Sequence, residues 1–208
     1  AEDAQKAKEA AKQQASAPIA ILDGTDPVMA AFLKAASTPS DINEHLPQLK
    51  EFAMECDVIA EFGVREGNAT RAFLAAKPKR LYSLDIAPNC AAGAQNYKET
   101  RWIKVFDPQR GDSLKADLPE DVDLLFIDSI HQQEHVFGEL SRHSKNARKY
   151  IAFHDTSAPF GDMDEAGGPG KGVNGGIAKW KATEDGQKFD LIYTSDSNHG
   201  LQIWKRVR

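Results

Sequence analysis

Two short runs of carboxylates and histidines hold the densest chemistry in this sequence. Val122-Asp-Leu-Leu-Phe-Ile-Asp128 is an apolar run closed by a carboxylate and followed by Ser129-Ile130-His131, and Lys149-Tyr-Ile-Ala-Phe-His-Asp155 closes in the same way on His154-Asp155. If both runs are strands, then Asp128, His131, His154 and Asp155 stand together at strand ends, where packing has no use for four polar groups. Such a group can hold a divalent cation, and Asp128, Asp155 and His154 are the expected ligands. Carboxylate and water ligands suit Mg²⁺, whereas an imidazole admits Mn²⁺ or Zn²⁺. A cation there would lower the pKa of a hydroxyl and orient a diol. His131, with an ordinary pKa near 6.5, is the expected general base and forms the catalytic pair with Asp128.

A second constellation lies upstream. Val58 to Leu74 reads as a buried strand, a glycine turn and then a helix, with Glu61, Gly63 and Gly67 in the pattern E-x-G-x-x-x-G. The first glycine suits a backbone passing close to a ligand, and the second opens the helix. The spacing differs from the dinucleotide pattern G-x-G-x-x-G. Asp85 closes the next strand, Arg80-Leu-Tyr-Ser-Leu-Asp85. In a doubly wound sheet the ends of these two strands are neighbours, so this carboxylate can accept both hydroxyl protons of a ribose.

The elements that must position these groups follow from the pattern. From residue 57 strands and helices alternate: strands over 57–62, 80–86, 101–106, 122–128 and 149–154, with helices over 67–77, near 90–99, over 112–117 and over 132–147. Alternation of this kind predicts a parallel sheet covered on both faces. Lys188 to Thr194 and Leu201 to Val207 are strand-like runs joined by Ser195-Asp-Ser-Asn-His-Gly200, a hairpin signal. Residues 18–56 supply covering helices, with Ser40 or Asp41 as the N-cap of the second. Residues 1–17 are rich in Ala, Lys, Gln and Glu and form a helical or disordered extension that cannot bury a face. The glycine-rich segment 157–176 is expected to be a structureless loop over a substrate site, with Asp162, Asp164 and Glu165 near a cationic or polyhydroxyl substrate. His45, His135 and His143 fall on helices without a convergent partner and read as surface or packing residues.

Composition narrows the class further. With 208 residues and 41% hydrophobic content, the chain can bury one full α/β core over residues 57–208. A net charge of −5 makes nucleic acid an unlikely partner. No apolar run has the length of a membrane span and no signal core is visible, so a cytoplasmic protein is expected. Cys56 and Cys90 lack metal-site spacing and read as free thiols.

Taken with the text downstream, the E-x-G-x-x-x-G turn resembles motif I of the class I S-adenosylmethionine (SAM) methyltransferases. The pattern D-x-x-H-x-x-E-x-V-x-x-E-L from Asp128, followed by a strand ending in His154-Asp155-Thr156, is similar to the small-molecule methyltransferases that include cephalosporin-hydroxylase-like and sugar O-methyltransferases. The resemblance extends over nearly all of residues 40–207. It implies a Rossmann-like doubly wound seven-stranded sheet, mostly parallel with a C-terminal antiparallel β-hairpin and helices on both faces. It also implies SAM bound by Glu61, Gly63, Gly67 and Asp85, with Asp112 near the adenine, and O-methylation of a small-molecule acceptor such as a sugar or natural-product moiety. A homo-oligomer is compatible with this class. Two departures stand out: Ser129-Ile130 replaces a small polar pair before His131, adding bulk there, and Asn146-Ala-Arg-Lys149 replaces a Pro-Gly-Gly turn. An NAD-type dehydrogenase fits less well because of the glycine spacing and the terminal hairpin. A non-catalytic SAM-binding module would have no need of Asp128 and His131.

Overall fold

The structure, a computed structural model, describes residues 26–91, 94 and 99–208. The extension over 1–17, the expected helix start near Ile19 and most of the short helix near 90–99 lie outside them.

Two strands form the centre because they are apolar but for Glu61 and Asp123. Every residue of β1 (Val58–Phe62) and of β4 (Val122–Ile127) is buried, as in parallel strands covered on both faces. They are joined by β2 (Arg80–Asp85), β3 (Trp102–Phe106), β5 (Ala147–His154), β6 (Phe189–Ser195) and β7 (Leu201–Arg206) in a sheet ordered β3-β2-β1-β4-β5-β7-β6. All neighbours pair in parallel except β7, which is antiparallel to both β5 and β6. The expected mostly parallel sheet with a terminal hairpin is what the chain forms.

Side chains alternate between two cores. Ile59, Leu81, Leu124 and Phe126 pack with α1 (Pro27–Ser37), α2 (Leu46–Ala53) and α3 (Asn68–Ala75) on one face. Ala60, Phe62, Leu125 and Ile127 pack with α4 (Gln133–His143) and α5 (Gly172–Lys181) on the other. The period of two along each strand thus feeds both layers.

Three local expectations are corrected. Neither Ser40 nor Asp41 caps α2: a 3₁₀ turn, Asn43–His45, comes first, and the helix starts at Leu46 because Pro47, lacking an N–H, fits its first turn. Residues 112–117 close a single turn in which Asp112 carbonyl oxygen accepts from the N–H groups of Lys115 and Ala116. No helix follows, since Pro119 disfavours helical backbone before it. The segment 157–176 is not structureless: it holds two 3₁₀ turns, Phe160–Asp162 and Glu165–Gly167, and α5 already begins at Gly172. Among the described residues no helix is long and apolar enough to cross a membrane.

Candidate active site

The β1–α3 turn is shaped by what it must pass. Gly63 sits at φ 82°, and a Cβ there would lie 2.0 Å from the Asp128 carbonyl oxygen, so only glycine lets the turn cross the end of β4. Gly67 follows at φ 73° as the residue that opens α3. Asp85, at the end of β2, clasps the same turn: its Oδ2 accepts from the N–H of Val64 (2.8 Å) and of Arg65 (3.2 Å), and its Oδ1 from Ala87 N–H (2.8 Å). A carboxylate offers about four acceptor positions, so capacity remains for a ligand.

Glu61 has a different setting. It is fully buried, and its two oxygens accept from Thr70 Oγ1 (2.9 and 2.8 Å) while Ser83 Oγ donates to one of them at 2.6 Å. Burial pushes its pKa up to about 8, against the opposing pull of the Ser83 and Thr70 hydrogen bonds. Glu61 therefore ties α3 to β1 and β2 from behind the turn.

In front of the turn, at the C-terminal edge of the sheet, lies a cavity of about 480 Å³ walled by Gly63, Asp85, Asp112, Asp128 and residues of the loops beyond them. Three large apolar side chains on this wall are left exposed: Ile86 (50%), Leu114 (37%) and Ile130 (36%). Ile130, expected to crowd His131, thus belongs to the cavity wall. Asp112 is on the wall with its Oδ2 2.6 Å from Lys115 Nζ, and this hydrogen bond holds its carboxyl below the usual range. Gly111 has no room for a side chain, since a Cβ would sit 2.0 Å from the Asp85 carbonyl oxygen.

The carboxylate–histidine cluster adjoins this cavity. Asp128, His131 and Asp155 bring one ligand atom each to within 4.8 Å of one another. His131 Nε2 lies 3.1 Å from Asp155 Oδ2 and 3.4 Å from Asp128 Oδ1, yet it is buried without a well-formed hydrogen bond. A buried ring nitrogen flanked by two carboxylates is a donor set that fits a divalent cation. His154, expected among the ligands, stands on the inner side, 1% exposed. Its Nε2 donates to the carbonyl oxygens of Asp41 (3.0 Å) and Asn198 (3.3 Å), while Nδ1 faces Asp128 Oδ1 (3.3 Å) and Asp155 Oδ2 (3.1 Å).

The charges lock together. Burial works against the charged form of each group, but the pairing outweighs it: Asp128 is held at about 2 by His154 and His131, and His154 is raised to about 11 by Asp128 and Asp155. Asp155 is lowered and His131 raised for the same reason. Asp155 also takes φ 54°, a left-handed backbone that a non-glycine residue adopts at a cost of about 1–3 kcal/mol.

The hairpin turn delivers a residue that spacing alone does not reveal. His199 Nδ1 lies 2.9 Å from Asp155 Oδ1, and its ring stacks on Phe160 with centroids 4.0 Å apart. Glu139, the second glutamate of the pattern that starts at Asp128, is on α4 and fully buried, and it accepts from Ser113 Oγ and Ser129 Oγ. His45 and His143 are buried packing residues, as expected, whereas His135 is on the cavity wall.

Of the acidic groups in 157–176, Asp164 does not face a substrate. Its Oδ1 accepts from the N–H of Gln133 (2.8 Å) and Gly172 (3.1 Å) and its Oδ2 from that of Gly170 (2.9 Å), which ties the starts of α4 and α5. Asp162 accepts from Asn174 at 2.9 Å. Only Glu165 reaches the cavity, and its N–H donates to the His131 carbonyl oxygen at 3.0 Å. A second cleft of about 640 Å³, walled by Lys34, Ser40, Asp41, Asn68 and Arg71, shares Arg65 with the first.

No protein-family model matches the chain, and no curated protein matches it. Solved structures do. The O-methyltransferase from Bacillus cereus in complex with SAH (S-adenosylhomocysteine) is 13% identical, with TM-score 0.63 over 89% of this chain and 93% of that one. The SAH-bound methyltransferase PaMTH1 from Podospora anserina is 14% identical, with TM-score 0.57 over 95% of both chains. The N-methyltransferase NodS from Bradyrhizobium japonicum is 13% identical, with TM-score 0.55 over 81% of this chain and 97% of that one. At these identities the likeness is one of fold. The chain has the class I methyltransferase fold.

Proposed function

We propose that this protein is a SAM-dependent methyltransferase that methylates a hydroxyl of a small polar acceptor such as a sugar or natural-product moiety. One observation carries the reading: the glycine turn clasped by Asp85 opens onto a cavity that also reaches Asp128, one member of the Asp128–His131–Asp155 cluster. Donor and acceptor chemistry thus share one edge of the sheet. Asp85 would hold the ribose hydroxyls, Ile86 and Leu114 would cover the adenine with Asp112 at its rim, and Gly63 would let the backbone approach. Gly67 and Glu61 act through the turn. Bound SAM supplies an electrophilic methyl group.

The acceptor would enter past Arg65 from the second cleft. Asp128 and Asp155, with His131 and with His154 behind them, would hold a divalent ion, which when bound supplies a positive charge that lowers the pKa of an acceptor hydroxyl. His131 has a raised pKa because it sits between two carboxylates. It can take the hydroxyl proton only when it is itself deprotonated, which elevated pH favours, and when its Nε2 is not bound to the ion. Glu165, at the cavity's rim, would stand beside the bound acceptor. Residues 57–208 would form the methyltransferase domain, with residues 18–56 as its covering helices.

The sheet order with its reversed β7 argues against a dinucleotide dehydrogenase. Incubation with methyl-labelled SAM and an acceptor library tests the reading. The expected product carries the label as an O-methyl ether. SAM binding without transfer to any acceptor would leave a non-catalytic binding module, and hydride exchange with NAD would overturn the cofactor assignment.

A further inference from the structure

The far wall of the donor cavity is built around a buried acid. Glu139 is 0% exposed, and its Oε1 accepts from two hydroxyls at once, Ser113 Oγ at 2.5 Å and Ser129 Oγ at 2.6 Å. His135 Nε2 lies 3.3 Å from the same oxygen and 3.5 Å from Ser113 Oγ. Ser113, Ser129 and His135 all line the cavity. The other oxygen of Glu139, Oε2, is buried with no hydrogen-bond partner among the described residues.

These contacts fix where the protons are. Each serine has one hydroxyl proton, and both protons point at Glu139. With the Ser113 proton so committed, His135 Nε2 must be the donor in its contacts with Ser113 and Glu139. What remains on the two hydroxyls is therefore lone pairs. Rotating either hydroxyl away would strip a donor from an acid that already lacks one, and leaving a buried polar group unpaired is costly. The wall accepts hydrogen bonds and is held from donating them.

We propose that Glu139 sets this polarity so that the cavity selects a 6-amino purine and refuses a 6-oxo purine. An exocyclic amine brings protons to the lone pairs, whereas a carbonyl in its place sets oxygen against oxygen. Ile86 and Leu114, exposed on the same wall, supply the apolar surface that a purine ring would cover. The proposal rests on the reading of this cavity as the site of the S-adenosyl group. Ser113 and Ser129 would be its specificity-determining residues, and Glu139 a positioning residue acting through them.

The test is calorimetric titration of the whole chain with S-adenosylhomocysteine and with its deaminated counterpart, S-inosylhomocysteine. The parent should favour the adenosyl ligand by at least about tenfold, since a site built for hydrogen bonds rejects a mismatched analogue strongly. Glu139→Gln keeps an acceptor oxygen and should keep the preference. Glu139→Met, of similar size but with no such oxygen, frees both hydroxyls to donate and should bring the two affinities within about threefold. Equal affinities in the parent, or a preference undiminished in Glu139→Met, would overturn the proposal. If Glu139→Met does not fold, the double variant Ser113→Ala/Ser129→Ala decides: the preference must fall, and an unchanged ratio contradicts the assignment. A parent that binds neither ligand would instead remove the donor-site reading, and this proposal with it.

Discussion

At the scale of single residues, Asp85 and Glu61 divide the work that motif reading assigns to them jointly. Asp85 spends three hydrogen bonds on backbone N–H groups at 2.8–3.2 Å and keeps acceptor capacity toward the cavity. Asp85→Ala should weaken S-adenosylhomocysteine binding by about 1.5–3 kcal/mol, the worth of hydrogen bonds to a charged group. Calorimetry reads this directly, and parent-like affinity would remove Asp85 from the site. Glu61, by contrast, enters the fold with a pKa raised by burial from 4.5 to about 8. The folded chain then binds a proton that the unfolded chain releases above about pH 4.5, so this group's contribution to stability is complete below that pH and is lost as pH rises toward 8, by up to about 1.4 kcal/mol per pH unit. Glu61→Gln should flatten the fall in melting temperature between pH 5 and 8.5. An unchanged slope would mean that Glu61 is ionised in the fold. Asp128, His131 and Asp155 were legible in the sequence because each ends or follows an apolar run. His199 was not, because its importance comes only from the strand end that the fold brings beside it, and Glu139 stood in the quoted pattern without its partner Ser113, which the fold supplies from a distant segment.

The elements impose their own constraints, clearest at the glycines. Gly63 and Gly167 have similar left-handed backbones, at φ 82° and 75°, but a Cβ at Gly63 would meet the Asp128 backbone while one at Gly167 meets nothing within 4 Å. Gly167→Ala should thus cost about 1–2 kcal/mol, the conformational penalty alone. Gly63→Ala should cost more than about 3 kcal/mol, because backbone must also shift. Denaturant unfolding compares them, and equal costs would show that the β1–α3 turn yields without penalty. Strand positions were readable from continuous apolar runs, and the hairpin from its polar glycine turn. Helix starts were less so. The shift of α2 to Leu46 depends on Pro47, and the early start of α5 depends on Asp164, which accepts the N–H groups of Gly170 and Gly172 from a distance in sequence that local pattern does not report.

For the whole molecule, the sheet edge gathers the cavity beside Asp85, a carboxylate–histidine cluster and an adjoining cleft. If the cluster holds a cation, turnover should vanish in excess chelator and return with Mg²⁺ or Mn²⁺. Asp128→Asn and Asp155→Asn should each weaken Mn²⁺ binding by at least about a hundredfold, more than loss of an outer-shell partner costs. Full activity in chelator would leave the two carboxylates to orient His131 and His154. The order of strands around β1 and β4 was foreseeable from alternation and the terminal hairpin, whereas the second cleft is built by side chains from α1, α3 and the β1–α3 turn that no local motif groups together. Everything proposed for catalysis presupposes that the cavity beside Asp85 takes the S-adenosyl group. Thermal unfolding with S-adenosylhomocysteine at about a hundred times its dissociation constant tests that most directly. Binding to the folded chain should raise the melting temperature by about 5–10 °C, as about 2.7 kcal/mol of added stability does in a chain of this size, with NAD giving no shift. A shift with NAD and none with S-adenosylhomocysteine would contradict the account.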